Sequence, residues 1–227
     1  MTLQLAIPES RIVGLISRQL RHLFEFEASV DGPQLDNASA MALCSIAVCF
    51  APCRNKYYHR DGVPFFDPMH TGQNAIFLYF LSRHLAIAGA ISLADKVYYL
   101  NKTLNALDLY HGVHMPAVFY LDHPVGSVIG RATIGDGFVF CQNCTVGNSQ
   151  GIFPVIGREV TLFAGATLIG RCRVGERVIF GAGTLVVDQD VPSYSVVSGR
   201  SPNLVIRKLT RESFERRSYF ESSLLTY

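Results

Sequence analysis

The stretch VIGREVTLFAGATLIGRCRVGERVIFGAGTLVV, Val155–Val187, decides the fold. Within it Ile156, Leu162, Leu168, Val174, Phe180 and Val186 are all apolar, and each stands six residues after the last. A helix repeats every 3.6 residues and a strand every 2, so neither alone accounts for a period of six. A hexapeptide repeat is the pattern of a parallel β-helix, in which each hexad forms one side of a three-sided prism and its apolar residue points inward. Residues two positions before the apolar site are small, as a tight corner requires: Ala132, Cys144, Ala166, Cys172 and Thr184. Parallel coils then pair edge to edge, about 4.8 Å apart.

Working outward, the same step runs backwards through Val146, Phe140, Ile134 and Val128, then through Leu121, Met115 and Leu109. Two interruptions break it: one extra residue between Leu121 and Val128, and four between Val146 and Ile156. Thirteen hexads at three per turn predict a little over four coils, and the prism of this repeat is left-handed, against the usual crossover rule. Glycine usage marks where the repeat begins, with 5 of the 19 glycines in residues 1–106 and 14 in 107–227.

Residues 1–106 read as a helical domain. Ile12, Leu15, Ile16, Leu20 and Leu23 recur at helical spacing. A second helix is expected from caps at Asp36 and Asn37, a third from Thr71 to Gly89, and a fourth with Ser92 as N-cap. The fold class expected is α+β: an N-terminal helical domain over 1–106, a left-handed parallel β-helix over 107–203, and a C-terminal helix and tail over 204–227, packed through Ile206, Leu209 and Phe214.

The chain has 227 residues, 49% hydrophobic and 17% charged, with a net charge of +2. That profile is globular, and it carries no field strong enough to argue for nucleic acid or an anionic membrane. MTLQLAIPESRIVG lacks the basic segment and apolar core of a secretory signal. The most apolar window, Ala75–Ala94, holds Arg83 and His84 near its centre and reads as a buried helix. A soluble, cytoplasmic protein with reduced thiols is expected. Cys141 and Cys144 form a CxxC with no second pair or histidine partner to complete a zinc site, and the corner position already explains Cys144 and Cys172. No metal is expected.

The first interruption falls at DHPVG, Asp122–Gly126, where an insertion at a corner turns side chains outward. His123 sits there. On a three-sided prism this corner stacks on the one a coil earlier, just before Leu109, which is Asp108. A carboxylate on one ring nitrogen fixes the tautomer and leaves the other nitrogen basic, the base–orienter pair of hydroxyl activation. The same pair also serves as a structural pin of a corner. The second interruption, GNSQGIFPV at Gly147–Val155, loops out where an acceptor site or a subunit contact would lie.

At these residues the chain resembles the serine acetyltransferases, hexapeptide-repeat acyl-CoA transferases. The likeness spans roughly 65–208 and is carried by DLYH at Asp108, LDHPVGSVIG at Leu121–Gly130, CTVG, FPVIG, AGATLIG, FGAGTLVVDQDVP and SGRSPNLVIRK. The resemblance implies acetyl-CoA as co-substrate, a small acceptor bearing a hydroxyl, and a homotrimer or dimer of trimers with sites between prisms. It implies His123 as general base, Asp108 as its orienting partner, Asp122 on the amine of the acceptor and Asp67 as a further acceptor contact. It places the coenzyme along the backbone near Ala164 and Ala182, with Arg207 and Lys208 nearest its phosphates. Two departures qualify it. Ile152 and Phe153 precede Pro154 where the family carries an Arg–His pair, so Phe153 gives an apolar wall where two cations would hold a carboxylate. The chain ends SSLLTY rather than in isoleucine, which argues against a complex with cysteine synthase. Beside acetyl transfer to an L-serine-like acceptor stand transfer to a sugar hydroxyl in surface-polysaccharide synthesis and a non-catalytic trimeric scaffold. Metal-assisted hydration, which needs three converging histidines, has only His111, His114 and His123 available in the repeat.

Overall fold

The hexads close into a parallel β-solenoid. A computed structural model describes residues 2–225 of the chain, which fall into two units, 2–51 with 55–112, and 52–54 with 113–225. Thr226 and Tyr227, the end of the expected tail, lie outside the described residues, as does Met1.

In the helical unit β1 (Gln4–Leu5) pairs with β3 (Val63–Phe66), which also pairs with β2 (His59–Arg60). Four helices follow the expected segments: α1 (Glu9–Leu23), α2 (Asp31–Phe50), α3 (Thr71–Ile87) and α4 (Ile91–Asn105). α3 packs against both α2 and α4 and is buried nearly all round, which is why its sequence lacks a polar face. Its ionisable groups find partners: Arg83 donates to the carbonyl of His111 at 2.9 Å, and His84 Nε2 lies 2.8 Å from Ser45 Oγ. Burial and the Arg83 charge hold the His84 imidazole below its ordinary pKa. No helix among the described residues is long and apolar enough to cross a membrane. Two caps differ from expectation. α2 starts at Asp31, five residues before Asp36, and Ser92 lies inside α4, which begins after Ala90. At the start of α3 the His70 side chain accepts from the Gln73 N–H, a cap that the Ser/Thr/Asp/Asn rule misses.

The solenoid unit stacks three walls. The first carries β4 (Phe119–Leu121), β7 (Phe138–Phe140), β10 (Thr161–Leu162), β13 (Val178–Phe180) and β15 (Ser195–Arg200). The second carries β5 (Val128–Ile129), β8 (Thr145–Gly147), β11 (Thr167–Ile169) and β14 (Leu185–Val187). The third carries β6 (Thr133–Ile134), β9 (Val155–Ile156) and β12 (Arg173–Val174), with Val191 bridged to Val174. All these pairings are parallel, and they stack Leu121, Phe140, Leu162, Phe180 and Val197 in one inward column. Ile129, Val146, Leu168 and Val186 form a second, and Ile134, Ile156, Val174 and Val191 a third. Four coils are complete and β15 opens a fifth.

The start of the repeat differs from the sequence register. Val128 is 44% exposed and Ile129 is 2% exposed, so Ile129 is the inward residue and the first corner carries two extra residues. Ser127, buried, takes the small-residue position two before it. Leu109 and Met115 lie in no solenoid strand, and the first wall begins at Phe119. An apolar residue every six positions could not separate Val128 from its equally apolar neighbour; the small corner residue was the usable signal.

The corners explain the small polar side chains. Cys144 Sγ donates to the carbonyl of Phe163 at 3.3 Å, Cys172 Sγ to Ile169 at 3.1 Å, and Thr184 Oγ1 to Gly181 at 2.6 Å. Ser127 Oγ donates to the Cys141 carbonyl and accepts from the Cys144 N–H. The Phe163, Ile169 and Gly181 carbonyls also accept the N–H groups of Ala166, Asp188 and Thr184, so at these corners the small side-chain donor adds a second bond to a carbonyl with two lone pairs. All six cysteines are free thiols, and only Cys44 is exposed. Burial raises the thiol pKa of Cys144 and Cys172, and that of Cys141 to about 12. Native protein at pH 8 should therefore release colour from a disulfide reagent at one thiol in fast phase, and at the other five only on denaturation. Fast reaction at three or more would contradict these corners.

The C-terminal segment, expected as a helix and tail, begins with a strand. β16 (Asn203–Lys208) runs antiparallel along β15, covering its edge, and the helical parts are the short α5 (Arg211–Glu215) and a 3-10 turn at Ser222–Leu224. Leu209 and Phe214 pack on Ile179 as expected, whereas Ile206 is 39% exposed on the hairpin.

Candidate active site

The first corner is the irregular one. Later corners on this edge each hold one left-handed residue: Asn143 (φ 57°), Gly165 (φ 71°) and Gly183 (φ 70°). The first holds two, His123 (φ 51°) and Gly126 (φ 77°). Positive φ is costly for a residue with a Cβ, and such outliers concentrate where a side chain must be displayed. Gly126 is required here, since a Cβ would run into the Asn143 side chain of the next coil. The carbonyl of His123 accepts from the Val125 N–H at 2.7 Å, fixing the turn, and its imidazole stands 87% exposed. Asp122 donates its N–H to the Phe140 carbonyl, and its Oδ1 lies 3.8 Å from His123 Nε2. The corner thus presents a carboxylate and an imidazole side by side.

Asp108 falls in the helical unit. One oxygen accepts from Tyr98 Oη at 2.6 Å and the other from Lys102 Nζ at 2.6 Å, both reaching from α4. Burial pushes this carboxyl up, but the Lys102 and Tyr98 hydrogen bonds and the Lys102 charge outweigh it and hold it below its ordinary value. A depressed carboxyl stabilises the fold above its unfolded pKa and loses that contribution as pH falls through the folded one. Removing the ammonium with Lys102→Met should raise the Asp108 pKa, read as a later carboxyl-carbon titration by NMR; an unchanged midpoint would show that Lys102 does not hold it. These two partners went unseen in the sequence, although Lys102 and Tyr98 sit on consecutive turns of a helix that ends just before Asp108.

Asp67, also in the helical unit, shapes the turn into α3: Oδ1 accepts from the Met69 N–H at 2.9 Å and its own N–H donates to Gln73 Oε1. The 148–151 insertion is a tight hairpin, with Ser149 and Ile152 exchanging both backbone bonds at 3.0 Å across Gln150 and Gly151, both at positive φ. Beyond it the Phe153 ring lies on Gly130, so close that a Cβ there would stand 2.8 Å from the ring edge and from the Val146 carbonyl. Ala164 and Ala182 occupy the same corner one coil apart, the Ala164 carbonyl accepting from the Gly183 N–H at 2.9 Å. Arg207 and Lys208 are neighbours on β16 and point to opposite faces of it, so one ligand surface meets only one of them directly. Among the described residues no group of three or more histidine, cysteine, aspartate or glutamate side chains could hold a metal ion; His111 instead pairs with Asp95 at 2.9 Å.

The chain has relatives among known proteins. It is 31% identical over 118 residues to the serine acetyltransferase of Synechococcus elongatus, covering 50% of this chain and 48% of that one. It is 31% identical over 135 residues to that of Mycobacterium tuberculosis, covering 57% and 58%. Its relatives are serine acetyltransferases. The chain matches about half the length of these two relatives. Among solved structures, serine acetyltransferase from Brucella abortus in complex with coenzyme A superposes with a TM-score of 0.63 at 20% identity, covering 90% of this chain and 84% of that one, a likeness of fold. No family model matches the chain.

Proposed function

We propose that this chain is an acetyl-CoA-dependent O-acetyltransferase of the serine acetyltransferase type. The observation that carries the reading is the first corner, where an insertion absent from the later corners displays His123 at positive φ beside Asp122. His123 acts as general base on the acceptor hydroxyl, whose oxygen attacks the thioester carbonyl; the C–S bond breaks and CoA leaves as the thiol. Asp108 orients the imidazole, a role carried by the likeness of DLYH at Asp108 and LDHPVGSVIG at Leu121–Gly130 to the serine acetyltransferases. Asp122 attracts a cationic amine on the acceptor. Backbone N–H groups along the corner hold the oxyanion. The coenzyme lies along the Ala164 and Ala182 corner, with a cation of β16 toward its phosphates. Asp67 contacts the acceptor, and the protein works as a homotrimer or dimer of trimers without a metal.

The relatives' names support the reaction class, and the loop favours a departure in acceptor. Ile152 and Phe153 supply no cation to a carboxylate, so a sugar or amino-alcohol hydroxyl suits the site better than L-serine. Calorimetric titration with CoA tests the reading first. Saturable binding is expected, and no heat of binding at millimolar CoA would favour a non-catalytic scaffold. An acceptor screen with acetyl-CoA then sets L-serine beside amino and neutral sugars.

A further inference from the structure

The segment after α5 carries a side chain that the mechanism above does not use. Residues 216–221 run to the Pro52–Arg54 stretch and are tied to it. Arg54 N–H donates to the Tyr219 carbonyl and Glu221 N–H to that of Pro52, both at 2.8 Å. The Arg54 guanidinium grips Glu221 at 2.8 and 3.1 Å and donates to the Glu215 carbonyl at 2.7 Å. Phe220, 1% exposed, is the apolar anchor. Between these ties the Tyr219 ring stacks on Tyr120, centroids 5.2 Å apart and planes at 28°.

Tyr120 stands two residues before Asp122, and strand side chains two apart share a face. Leu121 between them points inward, so Tyr120 and Asp122 belong to the outer face, and the register Tyr120 to Val139 places Cys141 of the next coil beside Asp122. Burial, with the nearby Cys141 and Asp122, pushes the Tyr219 phenol up to about 12, so it remains a donor at neutral pH. Among the described residues neither the Tyr219 hydroxyl nor the Asp122 carboxylate makes a hydrogen bond. One donor and one acceptor are left open on the same outer face.

We propose that Tyr219 is a specificity-determining residue of the acceptor site, its hydroxyl donating to a neutral hydroxyl of an acceptor whose amine pairs with Asp122. The acceptor class is then a hydroxylated amine without a carboxylate, an amino alcohol or amino sugar. This rests on the acetyl-transfer reading and deepens it. A carboxylate would face Asp122 with one neutral donor to hold it, whereas its recognition calls for charge-assisted or bidentate donors. A second hydroxyl matches a phenol, and a site built to bond it discriminates against analogues lacking it.

Three acceptors separate the cases: serinol, which is serine with a hydroxyl in place of its carboxylate; ethanolamine, which lacks the second hydroxyl; and L-serine. In thiol-release assays with acetyl-CoA, wild type should prefer serinol over the other two. Tyr219→Phe keeps the ring stack and should lower kcat/KM for serinol about 3–10-fold, leaving ethanolamine and the KM for acetyl-CoA unchanged. Arg54→Ala, which removes the guanidinium ties to Glu221 and Glu215 and so loosens the segment, should shift the serinol-to-ethanolamine ratio in the same direction. Equal losses on both amines, no loss on serinol, or L-serine as the best acceptor would overturn the proposal while acetyl transfer stands. If no acceptor supports thiol release, the acetyl-transfer reading fails, and calorimetry with serinol decides Tyr219 separately. Tighter binding to wild type than to Tyr219→Phe supports it, and equal or absent binding overturns it.

Discussion

His123→Ala should lower kcat/KM for acetyl transfer about 10²–10⁴-fold, the range for losing a general base. A hydroxyl is a poor nucleophile until its proton is taken as the oxygen attacks, and no other imidazole is displayed at this corner. The variant should fold as well as wild type, because the side chain is 87% exposed and removing it leaves no cavity. Alanine at a φ of 51° carries a modest backbone cost, so the unfolding midpoint is measured alongside the kinetics. A residual rate well above the uncatalysed one is expected from the oxyanion donors and from binding, as when one member of a catalytic unit is removed. The loss should fall on kcat, since the base acts in the transition state rather than in holding the acceptor. Near-normal kcat in a folded variant would remove His123 from the mechanism.

Phe180→Ala should destabilise the solenoid by about 3–5 kcal/mol. The ring is fully buried and stacks in register between Leu162 and Val197, with Phe140 one rung further. A prism one side chain wide has no second layer to collapse into the gap. A solenoid also gains stability rung by rung from nearest neighbours, so the loss strikes two interfaces together. Against a total of about 5–15 kcal/mol this is a large fraction, and thermal or denaturant unfolding reads it directly. Ile179→Ala, one residue away but packed outward on Leu209 and Phe214, should cost less and loosen mainly the C-terminal cover. Equal costs at the two positions would mean that the inward column is not the core.

Much of this was readable in the residues. Six-residue spacing from Ile134 to Val186 gave the walls, the inward columns and the corner role of Cys144, Cys172 and Thr184, because in a prism those positions have one orientation and little freedom of size. Where two apolar residues were adjacent, as at Val128 and Ile129, spacing alone could not choose. β16 was hidden because Asn203–Lys208 alternates too weakly to declare a strand, and its pairing with β15 is a tertiary choice that overrides local propensity. At the site, the outward display of His123 was legible from the insertion. The Lys102 and Tyr98 clamp on Asp108, and the return of Tyr219 onto Tyr120, depend on contacts between segments 6 to 99 residues apart. The first needs the exact end of α4 and its left-handed cap at Ala106 to bring Asp108 back onto the helix; no local pattern encodes the second.

The most direct test is the appearance of free CoA thiol from acetyl-CoA, recorded with and without a hydroxylated amine, for wild type and His123→Ala side by side. The account predicts acceptor-dependent release by wild type and loss of that component in the variant. Release of the same size by both proteins, or none by wild type with any hydroxyl acceptor, would contradict it.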